Sequence, residues 1–168
     1  PYDDMDPVYL PDGHILFSTS RGNSYVRCLP QSASTVLARC EPDGRNIVMI
    51  SRNNEPDYTF ALLPDGRVLY TRWEYTERPL WRLQKLWTIN PDGTGEAVYW
   101  GNGSAYPDML WEARPVPGSS QVMFVGVGHH NVFTGSLGLI DIAKGLQWPD
   151  GITKVTQELP WPEVGEPE

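Results

Sequence analysis

The sequence predicts an all-β fold of four-stranded antiparallel units, the blades of a β-propeller, and three observations predict it. A phrase recurs: "YLPDGHILFSTS" (9–20), "LLPDGRVLYTRW" (62–73) and the degenerate "RPVPGSSQVMFVGVG" (114–128) place turn prolines at Pro11, Pro64 and Pro117, 53 residues apart each time. A second phrase interleaves with it as "LARCEPDGRNIVMI" (37–50), "LWTINPDGTGEAVYW" (86–100) and, more loosely, "LIDIAKGLQWPDGITKVT" (139–156). No long stretch keeps a 3.6-residue apolar period free of Pro and Gly, so very little helix is expected. A four-stranded unit returning roughly every 40 to 50 residues marks a propeller, and here the surplus length sits in the loops.

Within each unit the elements follow in order. The first run precedes the first turn ("TFALL", "EARPV") and the second follows it ("HILFSTS", "RVLYTRW", "QVMFVGV"). The third is "TVLARC", "KLWTIN" or "SLGLID", and the fourth follows the second turn ("NIVMIS", "AVYW"). All are short, rich in β-branched and aromatic residues, and bounded by Gly or Pro, which is strand chemistry. In the Pro-Asp-Gly turns, Pro presets φ, Asp bonds its own backbone and Gly accepts positive φ. Antiparallel strands reverse at each turn, so the short turns gather on one face and the long loops on the other. Those long loops are 21–33, 73–84 and 129–135, together with 51–57 and 101–108.

The 168 residues hold about three blades, 1–53, 54–106 and 107–156, and the Pro- and Glu-rich segment 157–168 reads as an exit linker. Propellers typically close with about four to eight blades. The chain is therefore expected to be a fragment of a larger propeller, the alternative being two copies that assemble six blades. It begins at Pro1 with neither Met nor a signal peptide, which suggests a mature form or a piece of a longer polypeptide. With 13 Lys+Arg against 21 Asp+Glu, the net charge of -8 opposes a nucleic-acid partner. No run approaches the roughly 18 apolar residues of a membrane helix.

Loops on a rigid scaffold are where binding residues gather. The stretch 70–84 brings Arg72, Trp73, Glu74, Tyr75, Arg78, Trp81 and Arg82 to the loop-rich face, a set suited to planar ligands, sugars or a protein partner. The competing reading is packing between neighbouring blades. Glu112 and Arg114 share one side of a strand, as an ion pair or as groups facing a central channel. His129 and His130 follow a strand on the loop-rich face. They suit metal ligation or proton transfer, or else simply bond backbone in a structured loop. Cys28 and Cys40 could form a disulfide if their loop folds back, or remain thiols, and neither stands in a CxxC or CxxCH motif. No compact catalytic motif supports an enzymatic reading.

The units "LPDGRVLYTR" and "LWTINPDGTG" resemble the PD40 or TolB-like, WD40-like propeller repeat, a resemblance that spans nearly the whole chain and implies fold rather than activity. The succession "DPVYLPDGHILFSTSR", "LLPDGRVLYTRWEY", "LWTINPDGTG", "EARPVPGS" and "GHH" before "GSLGLID" is similar to the propeller region of hydrazine synthase alpha-subunit-like bacterial proteins. That resemblance implies a periplasmic or secreted setting within a larger redox or binding assembly. Two functions are expected from it: a non-catalytic binding scaffold touching other domains of its parent chain and a protein or small ligand, or part of an oxidoreductase with metal or haem near His129 and His130.

Overall fold

The computed structural model describes residues 1–28, 30–76, 82–130 and 135–157. Through them run the strands β1 (Asp4–Tyr9), β2 (Ile15–Thr19), β3 (Val36–Cys40), β4 (Val48–Met49), β5 (Asp57–Leu62), β6 (Val68–Trp73), β7 (Gln84–Ile89), β8 (Ala97–Trp100), β9 (Met109–Pro115), β10 (Val122–Val127), β11 (Gly135–Ile140) and β12 (Ile152–Lys154). Helix is confined to short 3-10 turns such as Ser20–Gly22 and Ile142–Lys144. The fold is all-β, and the apolar runs of the sequence fall on these strands.

Strands β1 to β4 pair in sequence order as one antiparallel sheet. Strands β5 to β12 form an eight-stranded sheet made of two more such meanders, β5–β8 and β9–β12. These last two meet at a single parallel pairing, Gln84 with Met109, where the Gln84 amide donates to the Asp108 carbonyl at 3.0 Å. The chain thus consists of three consecutive four-stranded units.

Four of the Pro-Asp-Gly turns close identically. In the 10–14, 41–45, 63–67 and 90–94 turns the first amide donates to the fifth carbonyl, and the glycine amide donates back to the first carbonyl. The aspartate carboxylate accepts from the amide two residues on: Asp12 from His14, Asp43 from Arg45, Asp65 from Arg67 and Asp92 from Thr94. The closing glycine carries φ of 82° to 91°, a left-handed conformation that disfavours other L-residues. The fifth Pro-Asp-Gly, at 149–151, closes differently. It ends a longer excursion from β11 to β12, pinned by the Asp141 amide donating to the Gly151 carbonyl at 2.7 Å.

Pleating decides which side chains meet. Leu16 and Leu37 of the first unit point onward to Val68, Tyr70 and Ile89 of the second, forming one core cluster. Leu69 and Leu86 of the second point onward to Val122, Phe124 and Ile140 of the third, forming another. Each fully buried Leu contributes about 2 kcal/mol of transfer free energy. A third, smaller cluster of Phe17, Ala38 and Cys40 lies on the opposite face of the first sheet.

The first strand of each unit carries a β-bulge at the same height. The register shifts fall between Met5 and Val8, between Tyr58 and Ala61, and opposite Phe124 in β9. Each contains a non-glycine residue with positive φ: Asp6 at 54°, Thr59 at 45° and Glu112 at 50°, spaced 53 residues apart. Such bulges bend a strand and reset which face its side chains take.

Candidate functional site

Three loops from three units converge on the loop-rich side. From the first, Arg27 sets its guanidinium 4.9 Å from the Tyr75 ring centroid, donates to the Tyr75 carbonyl at 3.0 Å, and pairs with buried Glu55 at 2.6 Å. From the second, Trp73 packs against Tyr75 with centroids 5.6 Å apart. From the third, His129 meets Trp73 edge-on at 4.9 Å and His130, also edge-on, at 4.8 Å. The result is a continuous row: Arg27, Tyr75, Trp73, His129, His130. Trp73 and His129 are buried and His130 is exposed, so the row runs from solvent through the protein and back out.

His129 is held in a defined orientation. Gln84 Nε2 stands 3.0 Å from His129 Nδ1, and the Asp108 carboxylate accepts from the His129 amide at 3.3 Å. The Gln84 side chain thus bonds the ring while Asp108 bonds the backbone, fixing His129 from two sides. Arg82 Nε lies 3.0 Å from Asp108 Oδ1 and completes the support.

Strand alternation splits the Arg–Trp stretch between two seams. Trp73 faces the third unit and His129, whereas Arg72 lies on the other side of the strand, the side that Tyr70 buries against the first unit. Arg72 pairs with Glu96, approaches buried Asp57 at 3.8 Å, donates to the Arg52 carbonyl at 2.8 Å and lies over the Trp87 ring at 5.1 Å. Its donors are consumed mostly within the second unit, with the Arg52 carbonyl the one partner from the first. Burial raises the Glu74 carboxyl, with Arg72 opposing. Arg78 and Trp81 lie outside the described residues.

Each first strand is entered by an aspartate paired to an arginine: Asp4 with Arg21, Asp57 with Arg72, and Asp108, just ahead of β9, with Arg82. Asp57 is fully buried, and desolvation pushes its pKa up to about 6 against the pull of Arg72, Ser51 and Asn53. Ser51 Oγ donates to Asp57 at 2.7 Å and accepts from the Leu37 amide, while Asn53 Nδ2 donates to Asp57 at 3.1 Å. Beside Asp108 lies Lys85, fully buried, its Nζ donating to the Pro107 carbonyl. Burial drives the Lys85 pKa down to about 7, with Asp108 opposing and Arg82 adding to the effect. The sequence reading missed Asp57, Asp108, Lys85 and Arg27. One signal was there to find: Asp4 and Asp57 stand at the same distance before their turn prolines.

The three bulges surround a cleft of about 600 Å³ lined by Asp6, Thr59, Phe60, Glu112 and Arg114 among others. Glu112 and Arg114 line this cleft and form an ion pair at 2.5 Å, the first of the two alternatives raised for them. Thr59 Oγ1 and Thr71 Oγ1 are 2.8 Å apart, and Thr71 donates onward to the Leu110 carbonyl at 2.6 Å. The cysteines are separate: Cys28 is a half-buried free thiol and Cys40 a buried one in β3, so the disulfide alternative is not formed. The 101–108 loop is occupied internally. Gly103, Ser104 and Asn102 bond Gln147, Ser104 Oγ accepts from the Trp148 amide at 2.7 Å, and the Tyr106 and Trp148 rings meet edge-on at 4.5 Å. Among the described residues, no three His, Cys, Asp or Glu side chains gather to hold a metal ion, and no helix is long and apolar enough to cross a membrane.

No protein-family model matches the chain, and no curated protein does. Among solved structures it is similar to Kuenenia stuttgartiensis hydrazine synthase, with a TM-score of 0.67 over 84% of this chain at 17% identity. The chain spans 21% of the length of that protein. At this identity the likeness shows the fold alone.

Proposed function

We propose that the chain is three consecutive blades of a larger β-propeller and acts as a non-catalytic binding and scaffolding module in an extracytoplasmic bacterial protein, periplasmic or secreted. The observation that carries this reading is the convergence of Arg27, Tyr75, Trp73, His129 and His130 from three successive units onto one loop-rich surface. A surface assembled from several repeats, with Arg27 and His130 exposed, Tyr75 half-buried and Trp73 and His129 as a buried base, suits a protein partner or a planar ligand. The resemblance of the repeats to PD40 or TolB-like units and the structural likeness to part of a much longer solved protein support the propeller reading. Capture from a cell-envelope extract tests it. A partner retained by the wild type and lost with His130→Ala, a change at an exposed side chain, is the expected result; retention by the variant overturns the assignment of the surface.

One observation favours a second reading, a part in a hydrazine synthase alpha-like oxidoreductase: the exposed His130 beside the anchored His129, in a chain whose structural neighbour is itself a hydrazine synthase. The visible spectrum and metal content of the intact parent protein separate the two. Bound metal or haem that is lost in a His129→Ala, His130→Ala variant decides for the second.

A further inference from the structure

We propose that Asn102 is a site of spontaneous deamidation held in check by Gln147, so that its conversion reports opening of the contact between the second and third units. The inference goes beyond the binding role and does not depend on it.

Asn102-Gly103 is the sole Asn-Gly pair in the sequence. Such a pair is chemically labile, because glycine has no Cβ to keep its amide nitrogen from the preceding side chain. The Gly103 nitrogen attacks Asn102 Cγ and a C–N bond closes a cyclic imide. The Cγ–Nδ2 bond breaks, and the side-chain nitrogen leaves as ammonia, taking up the proton that the Gly103 amide gives up. One water then opens the ring to aspartate or, through the other carbonyl, to isoaspartate.

Both reacting groups are tied to one side chain. The Gly103 amide donates to Gln147 Oε1 at 3.0 Å, and Gln147 Nε2 donates to Asn102 Oδ1 at 3.1 Å. Ser104 Oγ accepts from the Trp148 amide at 2.7 Å and gives its own proton to Gln147 Oε1, also at 2.7 Å. A backbone amide only donates, so the Gln147 oxygen is the atom that meets Gly103. With its proton committed to that oxygen, the Gly103 nitrogen does not attack.

The glycine itself is explained by Gln147. Asn102 and Gly103 hold the central positions of a turn that the Ser104 amide closes onto the Gly101 carbonyl at 2.9 Å. Neither has a positive φ, so the turn does not require glycine there. A Cβ at position 103 would instead stand 3.3 Å from Gln147 Oε1, a tight approach. The residue that makes the pair labile is thus the one that lets Gln147 lie against the backbone.

Gln147 belongs to the excursion between β11 and β12. That excursion also bonds the second unit where the Leu146 carbonyl accepts from the Gly101 amide at 2.8 Å and the Asp150 carbonyl from Trp100 Nε1 at 3.1 Å. Gln147 releases Gly103 when this contact opens, so the rate of conversion follows the population of the open form. Isoaspartate lengthens the backbone of the turn and leaves the contact harder to close.

Peptide mass mapping of the folded protein, with the same protein in urea as the exposed reference, tests this. Wild type is expected to convert Asn102 about tenfold or more slowly when folded than in urea. Gln147→Met, a change at a half-buried side chain, is expected to speed conversion of the folded protein about tenfold, as the loss of two ordinary hydrogen bonds implies, and to leave the rate in urea unchanged. Hydrogen exchange at the Gly103 amide of the wild type, expected to be slowed relative to an unstructured peptide, gives a check that needs no variant. Equal folded rates in wild type and variant, a wild type that converts as fast folded as in urea, or a Gly103 amide that exchanges like an unstructured one overturns the proposal.

Discussion

The Trp73 indole meets the His129 imidazole edge to face, centroids 4.9 Å apart, and so joins the second and third units through one aromatic contact. Trp73 is 6% exposed, and its truncation to Ala is expected to cost about 3 to 5 kcal/mol. A double-mutant cycle with Trp73→Leu and His129→Ala should return a coupling of about 0.5 to 1.5 kcal/mol by urea denaturation. A coupling indistinguishable from zero would mean that the rings are neighbours without being partners.

Lys85 gives the fold an alkaline preference. Its folded pKa of about 7 lies below the ordinary 10.5, so between these values the unfolded chain binds more protons and stability rises with pH. Within that window the slope is on the order of 1.4 kcal/mol per pH unit. In Lys85→Met this rise should disappear. A wild-type curve parallel to that of the variant from pH 7 to 10 would contradict the buried amine.

Asp57 works in the opposite direction. Its folded pKa of about 6 lies above the ordinary 3.8, so its contribution is complete below the unfolded value and is lost as pH rises through 6. Measured against Asp57→Asn, the wild type should lose stability between about pH 4 and 6. A difference that stays constant with pH, or grows, would show that Arg72 outweighs the burial.

Gly138 leaves room for a ring. It sits opposite Phe124 in the β10–β11 ladder, and a Cβ there would lie 2.4 Å from Phe124 Cζ. Gly138→Ala must displace a side chain that belongs to the core between the second and third units. The expected loss is about 1 to 3 kcal/mol. Gly138→Ala with Phe124→Leu should recover part of it, and thermal melts of the three proteins check the order.

Much of this architecture was legible because turns and strands are local. The Pro-Asp-Gly phrases named four closed turns correctly, and the apolar runs between them became strands. The fifth phrase, at 149–151, matched only loosely: a strand follows it, but it ends a longer excursion that bonds the 101–108 loop, which no local pattern records. For the same reason that loop, expected to offer free contacts, is spent on Gln147 and Trp148. The Arg72–Tyr75 stretch was located but not divided, although strand alternation already assigned Arg72 and Trp73 to different neighbours. That His129 would lie against Trp73 was legible only as a shared face. Lys85 gave no signal at all: an isolated lysine in "RLQKLW" reads as solvent-facing until the strand around it is buried on both sides.

The bulges at Asp6, Thr59 and Glu112 have a consequence for how this lineage can change. From entry aspartate to turn proline is seven residues in the first two units and nine in the third, an even difference, so across the bulge each aspartate keeps its side of the strand. Losing a single residue from 58–61 would rotate Asp57 out of the seam with the first unit and away from Arg72. Side chains along this segment are free to vary more than its length is, and insertions belong in the loops beyond.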